Sequence, residues 1–189
     1  KPFVAFMQGF TMGGGVGVSC HGSHRIVGET SKIAMPECSI GLVPDVGGSF
    51  LLAKLPGNIG TFLGVTGKRM NASDAIYCGF ADYFIPEKKW GDLKEKLIAT
   101  GDIYWIKKFH ESTETSEIET SFSQISEAMD DVSSKNIEAR LKHPFFEKDL
   151  SALKFNSPIS IAYTIMMLKM EKVRNNISDA LDAEYNFTA

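Results

Sequence analysis

The sequence predicts an α/β fold in its first half and helices in its second, on three observations. All 17 glycines of the 189-residue chain lie at or before Gly101, so residues 1–101 read as short elements joined by tight turns. Within that part, apolar runs of four to seven residues bounded by glycine, such as Pro2–Gln8, have the length of buried strands. Residues 102–189 contain no glycine and carry apolar residues at helical spacing. We therefore expect two units, an α/β core at 1–101 and a helical region at 102–189, with the boundary at Gly101-Asp102.

The elements follow in order. Pro2–Gln8 is the first strand. Met12–Gly17 is a glycine turn, and a helix starts near Val16, packed closely against the sheet because glycine permits backbone approach. His24–Gly28 and Lys32–Met35 are two more strands separated by a polar turn, and Pro36 ends the second because it lacks a ladder donor. Asp45 begins the next helix, capping it from its positive end, and Pro56-Gly57 stops it. Asn71-Ala72-Ser73-Asp74 has the form of a capping box with Asp in place of Glu, ahead of a short helix closed by Gly79. Ala81–Pro86 is a short strand, and Trp90–Ala99 a helix with Leu93 and Leu97 four residues apart. Beyond Gly101, His110–Glu119 is a polar, acidic, solvated stretch. Phe122, Ile125 and Met129 share one helix face. Ile159–Val173 is the longest expected helix, started by Asn156-Ser157-Pro158. Ile177–Phe187 is amphipathic, with Leu181 and Tyr185 taken as its apolar pair.

Composition narrows the function. The chain is 43% hydrophobic and 23% charged with a net charge of −3, ordinary for a soluble domain and without the basic footprint of a nucleic-acid binder. No apolar run reaches the ~18 residues a membrane span needs. Cys20, Cys38 and Cys78 lack metal-type spacing and read as buried thiols of a reducing, intracellular compartment. His21, His24, His110 and His143 show no ligand spacing, so no metal site is expected. Lys68-Arg69 reads as a solvated turn, and Met166, Met167 and Met170 as helix core. The chain begins at Lys1 inside an apolar run, which we read as the inside of a longer protein.

The chemistry concentrates in Met12–Ser49. A dinucleotide fingerprint fails because Val18 and Cys20 stand where its last glycine belongs; a phosphate loop fails because Arg69 follows Gly67-Lys68. Gly17-Val18-Ser19-Cys20-His21 lacks the second glycine of a nucleophile elbow. What remains is Met12-Gly13-Gly14-Gly15-Val16-Gly17, small residues able to aim a backbone N–H at a polarised carbonyl, with the carboxylates Glu37 and Asp45 downstream. Each has a plainer reading: glycines for close packing, Glu37 as an exposed turn residue, Asp45 as a helix cap.

Gln8-Gly9, Met12–Gly17, Met35-Pro36-Glu37 and Ile40-Gly41-Leu42-Val43-Pro44-Asp45-Val46-Gly47-Gly48 together resemble the crotonase (enoyl-CoA hydratase/isomerase) superfamily, and within it the 3-hydroxyisobutyryl-CoA hydrolase branch. The likeness is sharp from Lys1 to about Lys94; further on it rests on Asn156–Ser160 and Ala183-Glu184-Tyr185. It implies a crotonase-like spiral of ββα units, here without its N-terminal turns, followed by a helical C-terminal region. It also implies that Gly13 and Gly14 form the substrate-binding turn, with the Gly14 N–H as one oxyanion donor and a second donor upstream of Lys1. Glu37 would act on the thioester carbonyl as nucleophile or as base for water; Asp45 would orient the substrate hydroxyl or assist proton transfer. Crotonase hydratases carry glutamate where this chain has Gly17, which disfavours alkene hydration and leaves isomerisation open.

The resemblance thus implies an acyl-CoA thioester hydrolase of valine breakdown. It would use no cofactor beyond the coenzyme A of its substrate, and would reside in the mitochondrial matrix of a eukaryote or the cytoplasm of a bacterium. Its partner is the acyl-CoA, with neither nucleic acid nor membrane; oligomeric state stays open. The alternatives are a hydratase or isomerase relative acting on another acyl-CoA, and a non-catalytic scaffold that keeps the fold.

Overall fold

The structure is a computed structural model and describes residues 1–188. Its strands are β1 (Val4–Met7), β2 (Phe10–Met12), β3 (His24–Val27), β4 (Lys32–Ala34) and β5 (Tyr83–Phe84). Helices α1 (Gly14–Ser19), α2 (Gly48–Ala53), α3 (Ile59–Thr66), α4 (Ala72–Tyr77) and α5 (Trp90–Thr100) accompany them up to Gly101. Beyond it come α6 (Tyr104–Phe109), α7 (Glu117–Thr120), α8 (Phe122–Met129), α9 (Ile137–Arg140), α10 (Glu147–Leu153), α11 (Pro158–Leu168), α12 (Glu171–Asn175) and α13 (Ile177–Thr188).

The pairing between these five strands is parallel, and Ile33 and Phe84 make isolated antiparallel bridges to Met70 and Glu111. β3 lies between β1 and β5, with Val4 opposite His24 and Ile26 opposite Tyr83; β2 pairs with β4, Phe10 opposite Lys32. Strands one unit apart in sequence therefore lie side by side. β1 and β2 lead into α1; β3 and β4 lead, through a 3-10 turn at Glu37–Ile40, to α2. Each ββα unit stacks on the one before it, which produces a spiral. Parallel strands need such crossovers because a tight turn cannot return the chain to the same edge.

The larger core draws Met7, Ile33, Phe62 and Phe80 from before Gly101, and Ile125, Phe146, Ile165 and Val173 from after it. A second core, Ile26, Ile85, Trp90, Leu93 and Ile106, fills the space between the three-stranded sheet and α5 and α6. Arg25 crosses the strand ends: Nε donates to Asp82 Oδ2 at 2.9 Å, and Nη1 to the Gly79 carbonyl at 2.6 Å. The capping box is present in both directions, the Asp74 N–H donating to Asn71 Oδ1 and the Asn71 N–H to Asp74 Oδ2.

Six elements differ from the sequence reading. β2 forms at Phe10–Met12, and α1 starts at Gly14, two residues early. α3 was unforeseen, and all eight of its residues are buried. The expected helix 159–173 is broken between Leu168 and Glu171, where Met170 is extended; Lys169 Nζ there reaches the Val132 carbonyl at 3.2 Å and Arg174 Nε the Ala53 carbonyl at 2.8 Å. α2 starts at Gly48 with Gly47 at its N-cap, so Asp45 neither begins nor caps it. α13 buries Ala180, Ala183 and Glu184, while Leu181 and Tyr185 stand exposed; the smaller residues allow closer approach to the core. Two smaller readings also change. Lys68 pairs with buried Asp149 at 3.4 Å instead of lying in a solvated turn, and Met166 is exposed beside buried Met167.

Candidate active site

Glu37 opens the 3-10 turn directly after Pro36 ends the β4 segment, and it is 4% exposed. The turn is fixed from three sides. Ser39 N–H donates to the Pro36 carbonyl at 2.9 Å, Cys38 Sγ to the Gly64 carbonyl of α3 at 3.3 Å, and Ser157 N–H, ahead of α11, to the Cys38 carbonyl at 2.8 Å. The glutamate is therefore held by a helix packed beneath it and by the helical region. Its Oε2 is buried and accepts from no protein donor, and its Oε1 lies 2.9 Å from where a Cβ on Gly13 would sit. Burial pushes the carboxyl up to about 7, outweighing its own backbone N–H, with the charges of Asp45 and Glu184 adding to the rise. A carboxylate titrating near neutrality in an apolar site is suited to general-base or nucleophilic work.

The glycine turn lies against this carboxylate. Gly13, at φ +51, is the N-cap of α1, and its carbonyl accepts the first helical bonds, from Val16 N–H at 2.8 Å and Gly17 N–H at 3.2 Å. The N–H groups of Gly14 and Gly15 come before those bonds and have no acceptor within the helix. Gly14 is exposed, with open space where a Cβ would be. Gly14 thus presents an exposed N–H without a helical acceptor, one residue after the glycine that touches Glu37, the kind of group that can serve as an oxyanion donor.

Asp45 is half-buried in the loop before α2, and burial raises its carboxyl above the usual range against the pull of its own backbone N–H. The next residue, Val46, has φ +54, a left-handed conformation that costs a β-branched residue roughly 1–3 kcal/mol. Three contacts hold it there. Its side chain fills the space at Gly17, where a Cβ would lie 2.7 Å from Val46 Cβ; its carbonyl lies 3.2 Å from His21 Nε2; and Gly47 N–H donates to Glu184 Oε2 at 3.0 Å. The structure thus brings Gly13, Gly14, Glu37 and Asp45 into one neighbourhood.

Sequence reasoning missed Val46, His21 and Glu184. Only the left-handed φ and the burial of Glu184 identify them, and neither is visible in composition. The thiols stand apart from the chemistry: burial pushes Cys20 and Cys78 up to about 12 and Cys38 to about 11, far from the thiolate a nucleophile needs. Among the described residues no group of three or more His, Cys, Asp or Glu side chains could hold a metal ion, and no helix is long and apolar enough to cross a membrane.

Gly17 gives a direct test. A glutamate there meets Val46 side chain and carbonyl, so Gly17→Glu is expected to lose stability by about 1–3 kcal/mol through overpacking and to gain no hydration of crotonyl-CoA. Thermal melts and the loss of enoyl absorbance measure the two. A well-folded variant that hydrates crotonyl-CoA would overturn this account of the departure.

Comparison with known proteins gives consistent matches. A family model described as enoyl-CoA hydratase/isomerase matches residues 1–189. The mitochondrial 3-hydroxyisobutyryl-CoA hydrolase of Gallus gallus is 34% identical over 204 residues, a match covering 100% of this chain and 52% of that protein. The crystal structure of an enoyl-CoA hydratase from Rhodobacter sphaeroides 2.4.1 superposes with a TM-score of 0.91 at 46% identity, covering 100% of this chain and 55% of that one. A carnitinyl-CoA dehydratase from Mycobacterium thermoresistibile also gives 0.91, at 34% identity, covering 98% and 55%. The chain spans about half the length of the curated relatives it matches.

Proposed function

The chain belongs to the enoyl-CoA hydratase/isomerase (crotonase) family, and from that premise we propose that it is the catalytic half of an acyl-CoA thioester hydrolase, acting on 3-hydroxyisobutyryl-CoA in valine breakdown. One observation carries this reading. Glu37 is buried with an orphaned oxygen and titrates near 7, Asp45 is close enough for its charge to raise that carboxyl, and the space at position 17 is closed by Val46. The site therefore offers a carboxylate pair at 37 and 45, and position 17 has no room for a second water-handling glutamate.

In this reading the thioester oxygen lies against the Gly14 N–H, which stabilises the charge that develops as the carbonyl is attacked. The attacking oxygen comes from the Glu37 carboxylate, or from a water whose proton Glu37 takes. The carbon–sulfur bond breaks and coenzyme A leaves as its thiolate, which takes up the proton Glu37 has drawn from water or, where Glu37 itself attacked, a proton released when water cleaves the anhydride. If Glu37 itself attacked, water then cleaves the mixed anhydride and restores the carboxylate. Asp45 accepts from the 3-hydroxyl of the acyl group and fixes its orientation. The reading places the protein in the mitochondrion of a eukaryotic host, in keeping with the name of the Gallus gallus relative. The Rhodobacter sphaeroides structure, named an enoyl-CoA hydratase, favours a second reading, a hydratase/isomerase-type enzyme acting on another acyl-CoA.

The test is thiol release from a panel of acyl-CoAs. We expect turnover to be fastest with 3-hydroxyacyl thioesters, and Asp45→Asn to cost roughly tenfold or more on these, on the scale of a lost hydrogen bond to a charged group, while unsubstituted thioesters lose less. No thiol release from any acyl-CoA would end the hydrolase reading; equal losses on both substrate classes would remove Asp45 from hydroxyl recognition.

A further inference from the structure

Glu184 lies on α13, 137 residues along the chain from Gly47, yet it is 4% exposed and three donors converge on its two oxygens. Gly47 N–H donates to Oε2 at 3.0 Å, Ser49 N–H to Oε1 at 3.2 Å, and the Ser49 hydroxyl to Oε1. Burying a carboxylate costs heavily unless its lone pairs are satisfied, and here they are satisfied by the turn that follows Asp45. Besides these bonds the turn is held by the Gly48 N–H donating to the Asp45 carbonyl at 2.7 Å and by the His21 contact with the Val46 carbonyl. Gly47 is left-handed at φ +77, Val46 is strained, and among the described residues no side chain of the turn itself caps α2. On its other side the turn packs on Met35, whose Cε lies 2.3 Å from where a Cβ on Gly48 would sit, two residues before Glu37.

From these contacts we propose that Glu184 is a positioning residue: the last helix reaches back through its carboxylate to hold the Gly47–Ser49 turn in the form that sets Asp45 relative to Glu37. The inference deepens the thioesterase reading and rests on it for its kinetic part. It makes α13 part of the scaffold that shapes the site. It also explains why the buried face of α13 is Ala180, Ala183 and Glu184: the two alanines bring the helix close enough for a glutamate to reach the backbone of the turn. A carboxylate suits the task because it has acceptors only, and every group it faces in the turn is a donor.

The experiment compares Glu184→Gln with Tyr163→Phe in the full chain, with Glu184→Asp as the charge-retaining third variant. Glu184→Gln keeps the shape but turns an NH2 donor toward N–H groups. Tyr163→Phe removes a different tether of the same helix, the Tyr163 hydroxyl donating to the Ala183 carbonyl at 2.9 Å, without touching the turn. We expect Glu184→Gln to speed amide hydrogen exchange at Gly47 and Ser49 by roughly tenfold to a hundredfold, the scale of a charged hydrogen bond, with β1 and β3 amides unchanged. On a 3-hydroxyacyl-CoA it should lower kcat by about tenfold with little change in KM. Glu184→Asp, which retains the charge, should recover part of the loss. Tyr163→Phe should change neither the exchange at Gly47 and Ser49 nor kcat. Unchanged exchange at Gly47 and Ser49 in Glu184→Gln would overturn the proposal, as would equal effects of the two variants, which would make Glu184 one helix tether among others. If the wild-type chain releases no thiol, the function reading falls while the exchange data still decide whether Glu184 holds the turn.

Discussion

Glu37→Gln is expected to lower thioester turnover by roughly 10²–10⁴-fold if Glu37 acts as a base, and to abolish it if Glu37 is the nucleophile, while the protein folds normally. The amide has nearly the shape of the acid but can neither take a proton from water nor attack a carbonyl. The same pKa fixes the wild-type pH profile: with the carboxyl at about 7, kcat/KM rises about tenfold per pH unit below 7 and levels off above it. Thiol-release rates between pH 5 and 9 measure both, and near-normal activity in Glu37→Gln would remove the residue from the mechanism.

Stability should move the other way. The folded-state pKa of Glu37, about 7, lies above its ordinary 4.5. Below about 4.5 the group is protonated in both states, and its contribution is unaffected by ionisation. Between 4.5 and 7 the native state still holds the proton that the unfolded chain has released, so the native state loses ground as pH rises. Above 7 the loss is complete, about 3 kcal/mol on the 1.36 kcal/mol per unit scale. Glu37→Gln has no such loss, so urea unfolding should find it more stable than wild type at pH 8, with the gap closing toward pH 4. A carboxylate that destabilises its own fold at working pH is what a site preorganised for chemistry produces.

What was legible in the sequence follows from which interactions are local. The strands β1, β3 and β4 and the capping box at Asn71 could be read because a run, a turn or a cap lies within a few residues. Glu37 and Asp45 were legible through the blocks around them. α3 was not: Ile59–Thr66 is buried on every side, so it has no polar face to set a helical period, and its glycines argue against a helix. Gly60 is there because a Cβ would lie 1.9 Å from the Leu52 carbonyl, a helix–helix approach visible only in three dimensions. Leu181 and Tyr185 misled for the converse reason. They have the spacing of a buried stripe, but the helix turns its alanines and Glu184 inward instead. Asp45 has the residue type of a cap, yet the orphan N–H groups of α2 are taken by a carboxylate from far along the chain, which no local rule could supply.

Gly13→Ala should be the second severe variant, and for two separable reasons. The added Cβ would sit 2.9 Å from Glu37 Oε1, and the residue holds φ +51, where alanine is disfavoured by about 1 kcal/mol or more. The carboxylate must shift within a buried site, or the N-terminus of α1 must move and carry the Gly14 N–H with it. Either displaces donor from base, and an error of about 1 Å costs on the order of 10²-fold in rate. Melting temperature should fall as well. Gly14→Ala is the contrast in stability, because a Cβ there meets nothing within 4 Å and φ is not positive, so its melting temperature should match wild type. A double-mutant cycle separates the two reasons. In a Glu37→Ala background the clash is gone and only the backbone cost remains, so Gly13→Ala should destabilise less there than in wild type. Equal destabilisation in both backgrounds would show that Gly13 and Glu37 are not in contact, and the turn and the carboxylate would then have to be assigned to separate sites.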